Sequence, residues 1–344
     1  MLTSNISQRL HKKCLSIAYS TITHSKITFN ITASVALSIF LTACSTLPMD
    51  KSARTPTSST IVNPLTAKMP AIDRAGRIAY VEEQGAGSAK ISSLYTISPD
   101  GSDRQLIDEL SGYIYAPAWS ADGQLLAYSK QTPRQNPKIY IYDVSSQTRN
   151  LVVNTEGSNL SPSFSPDKQR LLYSSTVGGN ADIYEMRLDS GETRQLTTLP
   201  STEVQPSYAS DGQSFVYTSD KKNAGRPRIY RYNFATRSAT QITTKDYAAS
   251  PQLSNDGQRL AYLNGRQAAV MTLATGQIVK LAETGLDEPA RFSPSGLYTV
   301  YPTRKSQVDG QSGGSIVIHS LFGNTSYAIS SKAGGVVRSP VWSR

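Results

Sequence analysis

The groups that could do chemistry are few and clustered at one end. Of two cysteines and three histidines in 344 residues, Cys14, Cys44, His11 and His24 all lie in the first 44 positions. Downstream of them the chain has His319 and no thiol, which argues against a zinc site of the usual ligand types. Gly310-Gln311-Ser312-Gly313-Gly314 fits the G-x-S-x-G pattern, but that pattern presents a nucleophile only on a strand–turn–helix elbow. Here it sits in a Gly/Ser/Gln-rich stretch between two apolar runs, so a hairpin loop is expected. Asp122, Asp167, Asp211 and Asp256 recur once per repeat. Carboxylates so spaced cap turns rather than pair for acid–base work. Asp100-Gly101-Ser102-Asp103 lacks the length and terminal Glu of a calcium loop. No glycine loop leads into a helix, so nucleotide binding has no support. Neither a catalytic group nor a cofactor is expected.

Cys44 stands apart. Arg9, Lys12, Lys13 and Lys26 precede an uncharged run, 27–43, that ends in Leu41-Thr42-Ala43-Cys44. A basic region, a short apolar run and small residues before the Cys resemble a bacterial lipoprotein signal. Residues 1–43 are read as the leader and Cys44 as the lipidated first residue of the mature chain. Ser45, where an Asp would favour inner-membrane retention, points to the outer membrane. Removing the leader lowers the formal charge from +10 to +6. Residues 44–72, rich in Ser, Thr and Pro, read as a flexible tether.

The remaining chain must be built from strands. The full sequence is 38% hydrophobic and 17% charged, with 23 Gly and 18 Pro, which excludes wholesale disorder and a multi-span membrane protein. Its positive charges are scattered apart from Lys221-Lys222 and Arg226-Pro227-Arg228. They read as a solvated surface, and nucleic acid is not expected as a partner.

A repeat organises residues 73–344. Pro117-Ala-Trp-Ser-Ala-Asp-Gly-Gln-Leu-Leu-Ala-Tyr128 returns with variations beginning at Pro162, Pro206 and Pro251, at steps of 44 or 45 residues. A fifth copy begins at Pro289, with one extra residue and Ser295 in place of the turn Asp. Asp-Gly is a strong hairpin signal because Gly accepts positive φ and Asp bonds the backbone ahead. The apolar run ending in Tyr is a buried strand, and two further strands follow in most copies. Four short antiparallel strands per 40–45 residues is the pattern of a β-propeller blade. The chain ends on Pro340-Val341-Trp342-Ser343, a first strand only, while Gly76-Arg77-Ile78-Ala79-Tyr80 begins on a second. The two ends therefore complete one blade. Six tyrosines, Tyr80, Tyr128, Tyr173, Tyr217, Tyr262 and Tyr301, mark an all-β, six-bladed propeller with 1+3 closure.

Read in order, these copies resemble the C-terminal propeller of the TolB family of the Tol–Pal system, over nearly all of residues 77–344. The more specific likenesses are Arg77-Ile78-Ala79-Tyr80, Thr218-Ser219-Asp220 leading to Gly225-Arg226-Pro227-Arg228-Ile229-Tyr230, and the terminal Pro340-Val341-Trp342-Ser343. The resemblance implies a non-enzymatic, monomeric binding module of the periplasm. Its mouth would bind the peptidoglycan-associated lipoprotein Pal and support outer-membrane integrity and envelope constriction, with other Tol or outer-membrane proteins as further partners. Loops that enter each first strand would carry the contacts: Tyr115, Ser158, Asn159, Ser161, Glu203, Val204, Gln205, Tyr247, Asp287, Glu288 and Arg338. Family members also carry an α/β domain before the propeller, which contacts the motor protein TolA. Here a short tether separates Cys44 from the ring, so the resemblance carries over Pal-type binding and leaves TolA-type binding open. The alternatives are a propeller hydrolase or lyase with its site in the central channel, or a scaffold or sensor for another envelope protein or glycan.

Overall fold

Each Asp-Gly copy folds into the inner hairpin of a four-stranded antiparallel sheet. The computed structural model describes residues 68–243, 247–281, 286–304, 313–323 and 325–343. These belong to one compact unit, Asn63–Arg344. The leader, Cys44, most of the tether and Gly310–Ser312 lie outside the described residues.

After a short helix, α1 (Ala71–Ala75), come β1 (Ile78–Gln84), β2 (Ile91–Ile97) and β3 (Gln105–Ser111). Blade 1 is β4 (Tyr113–Trp119), β5 (Leu125–Gln131), β6 (Lys138–Asp143) and β7 (Arg149–Val153). Blade 2 is β8 (Asn159–Phe164), β9 (Arg170–Ser175), β10 (Asp182–Arg187) and β11 (Thr193–Gln195). Blade 3 is β12 (Glu203–Tyr208), β13 (Ser214–Ser219), β14 (Arg228–Asn233) and β15 (Ser238–Gln241). Blade 4 is β16 (Ala248–Leu253), β17 (Arg259–Asn264), β18 (Gln267–Thr272) and β19 (Ile278–Lys280). Blade 5 is β20 (Arg291–Phe292), β21 (Tyr298–Thr303), β22 (Ser315–Ser320) and β23 (Ser326–Ser330). The last strand, β24 (Val336–Trp342), pairs with β1, so the sixth sheet runs β24-β1-β2-β3. This is the 1+3 closure read from the chain ends. Ser343 completes the divided hairpin: its hydroxyl accepts from the Arg77 N–H at 2.7 Å, and its own N–H donates to the Arg77 carbonyl at 2.7 Å.

First strands of neighbouring blades touch in succession, β4 with β8, β8 with β12, β12 with β16, then β20 with β24 and β24 with β4. They are therefore the inner strands, around the channel. The core lies between blades rather than within one. Ala127, Ile139 and Ile141 of blade 1, for example, pack with Phe164, Leu171, Tyr173 and Met186 of blade 2. All six marker tyrosines are buried. Four pair in register with a tyrosine of the third strand, their ring centroids 5.6–6.0 Å apart. Such cross-strand aromatic pairs are a main source of sheet stabilisation.

The turn aspartates cap, as their spacing implies. The Asp167 and Asp256 carboxylates accept from Ser165 and Ser254 and from the N–H groups of Gln169 and Gln258. Those hydrogen bonds hold both below the usual carboxylate range. In the fifth copy, where Ser295 replaces the aspartate, a carboxylate arrives from elsewhere. Buried Asp73 of α1 accepts from the Ser295 N–H at 2.9 Å and its hydroxyl at 2.5 Å. The Asp73 carbonyl also accepts from the Trp342 indole N–H at 3.2 Å. Met69 is buried against Ile78, Tyr298 and Trp342. The packed chain thus begins at least at Met69, four residues ahead of the boundary drawn from composition, because these apolar and capping contacts are invisible in a Ser/Thr/Pro-rich stretch.

Candidate functional site at the ring mouth

The inner strands begin at one end of the ring, and there each blade bends its backbone. In blades 1 to 4 and 6 the pairing of first and second strands slips across the repeat Pro, as between Tyr115 and Ala118 or Val204 and Ser207. Ala116, Ser161, Gln205, Ser250 and Ser339, each directly before that Pro, have φ of 45° to 58°. The proline ring disfavours the right-handed helical region for the residue before it, and the bulge's extra residue takes up the left-handed one instead. In blade 5 the positive φ falls on Asp287, two residues before Pro289. A ring of six strained, non-glycine positions therefore surrounds the channel mouth. Such strain persists where surrounding structure holds it, commonly at functional sites.

The residues expected to carry contacts divide by burial. Ser158, Ser161, Val204, Gln205, Tyr247, Asp287 and Arg338 are half-buried and reach the mouth surface. Tyr115, Asn159, Glu203 and Glu288 are buried. Tyr115 stacks on Tyr113 and donates its hydroxyl to Gln131 Oε1 at 2.9 Å. Asn159 Oδ1 accepts from Thr155 and Ser175 hydroxyls. Gln205 Oε1 accepts from the Thr218 hydroxyl and from the Ser250 N–H of the next blade, both at 2.9 Å. Asp287 accepts from Arg266 Nε at 3.0 Å. The buried members hold the loops in place.

Two buried acids matter electrostatically. Glu203 Oε1 accepts from Ser201 and Ser219 hydroxyls at 2.5 and 2.8 Å. Its Oε2 has no hydrogen-bond donor among the described residues, and the buried Asp182 carboxyl of blade 2 faces it. Burial pushes Glu203 up to about 7 and Asp182 above its ordinary range. Glu288 accepts from Arg338 Nη1 at 3.2 Å and from the Ser339 N–H at 2.6 Å. Burial raises it too. Arg338 also meets Glu83 at 3.3 Å, and Glu83 meets Lys90 at 2.9 Å.

Sequence reading missed these networks because the groups lie far apart in the chain. It also missed an apolar rim: Val177 and Leu199 are 47% and 42% exposed on loops of the mouth face. The Asn180 side chain between them donates to the Leu199 carbonyl at 2.7 Å. Of the groups singled out for catalysis, Ser312 lies outside the described residues and His319 lies away from the mouth. His319, on the third strand of blade 5, bonds Ser326 at 2.8 Å, and burial lowers its pKa. Among the described residues no group of three or more His, Cys, Asp or Glu is placed to hold a metal ion.

Comparison with known proteins fits this geometry. The family described as the TolB beta propeller domain matches residues 64–344. A Tol-Pal system protein TolB of Francisella tularensis subsp. mediasiatica is 27% identical over 283 residues, covering 78% of this chain and 63% of that protein. The chain thus spans less than two thirds of the length of the curated relatives it matches. The crystal structure of TolB from Acinetobacter baumannii is similar at 33% identity and a TM-score of 0.70, covering 79% of this chain and 67% of that one. A chain of the nidogen/laminin complex, 9% identical with a TM-score of 0.60, covers 78% of this chain and 99% of its own length. That likeness is one of fold alone.

Proposed function

The chain belongs to the TolB β-propeller domain family, and from that premise we propose that its ring mouth binds a Pal-type peptidoglycan-associated lipoprotein within the Tol–Pal system. The observation that carries this reading is the mouth itself. Six strand starts, each with a non-glycine residue at positive φ and five of them bulged, surround one opening, with half-buried polar groups and exposed Val177 and Leu199 beside it. Binding residues on loops held by a rigid scaffold are the usual arrangement for recognition. The function is binding rather than catalysis. The Cys44 lipid would hold the ring at the periplasmic side of the outer membrane as a monomer, and Ser158, Ser161, Val204, Gln205, Tyr247, Asp287 and Arg338 would meet the partner.

The test is calorimetric titration of the full chain with the peptidoglycan-associated lipoprotein of the same organism. Val177→Asp and Leu199→Asp, both on the surface, should each weaken binding about tenfold, the scale of an interface residue that matters. Absence of binding, or binding indifferent to both changes, would overturn the proposal.

A further inference from the structure

One register of the inner strands shows an unbalanced charge. The second-strand residue just before each marker tyrosine pairs with Ala118, Ser163, Ser207, Gln252, Arg291 or Val341 of the first strand. These six occupy equivalent places around the channel, and all are half-buried. Five carry no charge. Ser163 Oγ and Gln252 Oε1 accept from the N–H groups of Tyr208 and Phe292, tying one inner strand to the next. Arg291 differs. Among the described residues its guanidinium makes one hydrogen bond, Nη1 to the Ser250 carbonyl at 2.9 Å. No carboxylate among the described residues lies within ion-pair distance of it.

A guanidinium has five N–H donors in a planar fork, and removing it from water without an anion is unfavourable. Burial draws Arg291 down to about 10, while the charge of Glu288 works against that fall. The neighbouring groups do not close the account. Lys90, Glu83, Arg338 and Glu288 form an alternating chain, each carboxylate held by at least one cation. With Arg291 this cluster counts three cations, Lys90, Arg338 and Arg291, to two carboxylates, Glu83 and Glu288. The position does not require a cation, because alanine and valine stand at the same register in other blades.

We infer that Arg291 is the receptor for a carboxylate that a bound partner brings into the channel mouth. The carboxylate would come from an acidic side chain or a chain terminus, either of which fits the guanidinium fork in a bidentate pair. The assignment rests on the reading of the mouth as a protein-binding face and names the chemistry recognised there.

The test uses the full chain, 15N-labelled, with the Arg291 Nε–Hε resonance identified through Arg291→Lys. Three probes are titrated: acetyl-Gly-Glu-Gly-amide, its Gln analogue, and acetyl-Gly-Gly-Gly with a free terminal carboxylate. The resonance should move saturably with at least one carboxylate peptide and about tenfold more weakly, or not at all, with the Gln analogue. The tighter of the two carboxylate peptides identifies the source. In the variants the readout is the backbone N–H resonance of neighbouring Phe292: Arg291→Gln should remove its response to the carboxylate peptides at an unchanged unfolding midpoint, and Arg291→Lys should retain part of it. A resonance unmoved by both carboxylate peptides, or moved equally by the Gln analogue, would overturn the inference. A silent resonance together with undiminished capture of the lipoprotein by Arg291→Gln would leave the mouth reading standing. Carboxylate binding at Arg291 by a ring that retains no lipoprotein would do the reverse.

Discussion

Glu203 offers the sharpest test of the electrostatic account. Its carboxyl is buried between blades 2 and 3, with Asp182 from β10, Tyr217 from β13, Tyr230 from β14 and Lys221 from the adjoining loop as the ionisable groups around it. Burial raises Glu203 from 4.5 to about 7. A carboxyl raised in the folded state contributes its full share of stability below its unfolded value. That share is lost as pH rises through the folded value. At 1.36 kcal/mol per unit, the loss between pH 4.5 and pH 8 comes to about 3 kcal/mol. Glu203→Gln removes the titration. The new amide oxygen still accepts from Ser201 and Ser219, and the new NH2 can donate to Asp182. Urea unfolding of the full chain at pH 5, 6, 7 and 8 should show the variant close to wild type at pH 5. At pH 8 it should be more stable by roughly 2–3 kcal/mol. Groups that titrate alike in both proteins cancel in the difference. A pH-independent difference, or a variant less stable at pH 8, would refute the reasoning.

Other outcomes follow from the same contacts. Asp73→Ala should destabilise the fold by about 1–3 kcal/mol, since it strips two donors of Ser295 of their acceptor, and a matching Ser295→Asp should restore part of the loss by supplying the carboxylate in place. Trp342→Ala should cost about 3–5 kcal/mol in urea unfolding by emptying the seam where β24 closes the ring. Arg338→Ala should cost about 3–5 kcal/mol at pH 7 because Glu83 and Glu288 lose a shared cation, with a smaller loss at pH 5, where the raised Glu288 takes up a proton more readily. Gly112→Ala should destabilise by about 2 kcal/mol or more, since φ is 141° and a Cβ would stand 2.3 Å from the Gln131 carbonyl oxygen.

The blades were legible in the sequence because each is a local object. Pro, Asp-Gly and the buried Tyr fall at fixed offsets, and the strands they delimit pair with their neighbours in the chain. Closure was legible too, since the half-repeat at Ser339–Ser343 needs the half-repeat at Gly76–Tyr80. The site was only partly legible. The mouth positions follow from the repeat, but their side-chain directions depend on the bulge. Placing Glu203 and Asn159 inside the ring and Val204 near its surface requires knowing where the register slips. The replacement of the turn Asp of the fifth copy by Asp73 was not legible, because 222 residues separate Asp73 from Ser295. Arg291 passed unnoticed for a related reason. The extra residue in its copy obscures the alignment, and only the pairing with Val300 shows that it shares a register with Ala118 and Val341.

The most direct test of the mouth as the binding face is hydrogen–deuterium exchange of the full chain with and without the peptidoglycan-associated lipoprotein. Protection should concentrate at the strand starts, residues 113–116, 158–161, 202–205, 247–250, 286–289 and 335–339, and on the loops bearing Val177 and Leu199. Protection confined to the opposite end, at the turns around Asp122, Asp167, Asp211 and Asp256, or no protection at all, would contradict the account.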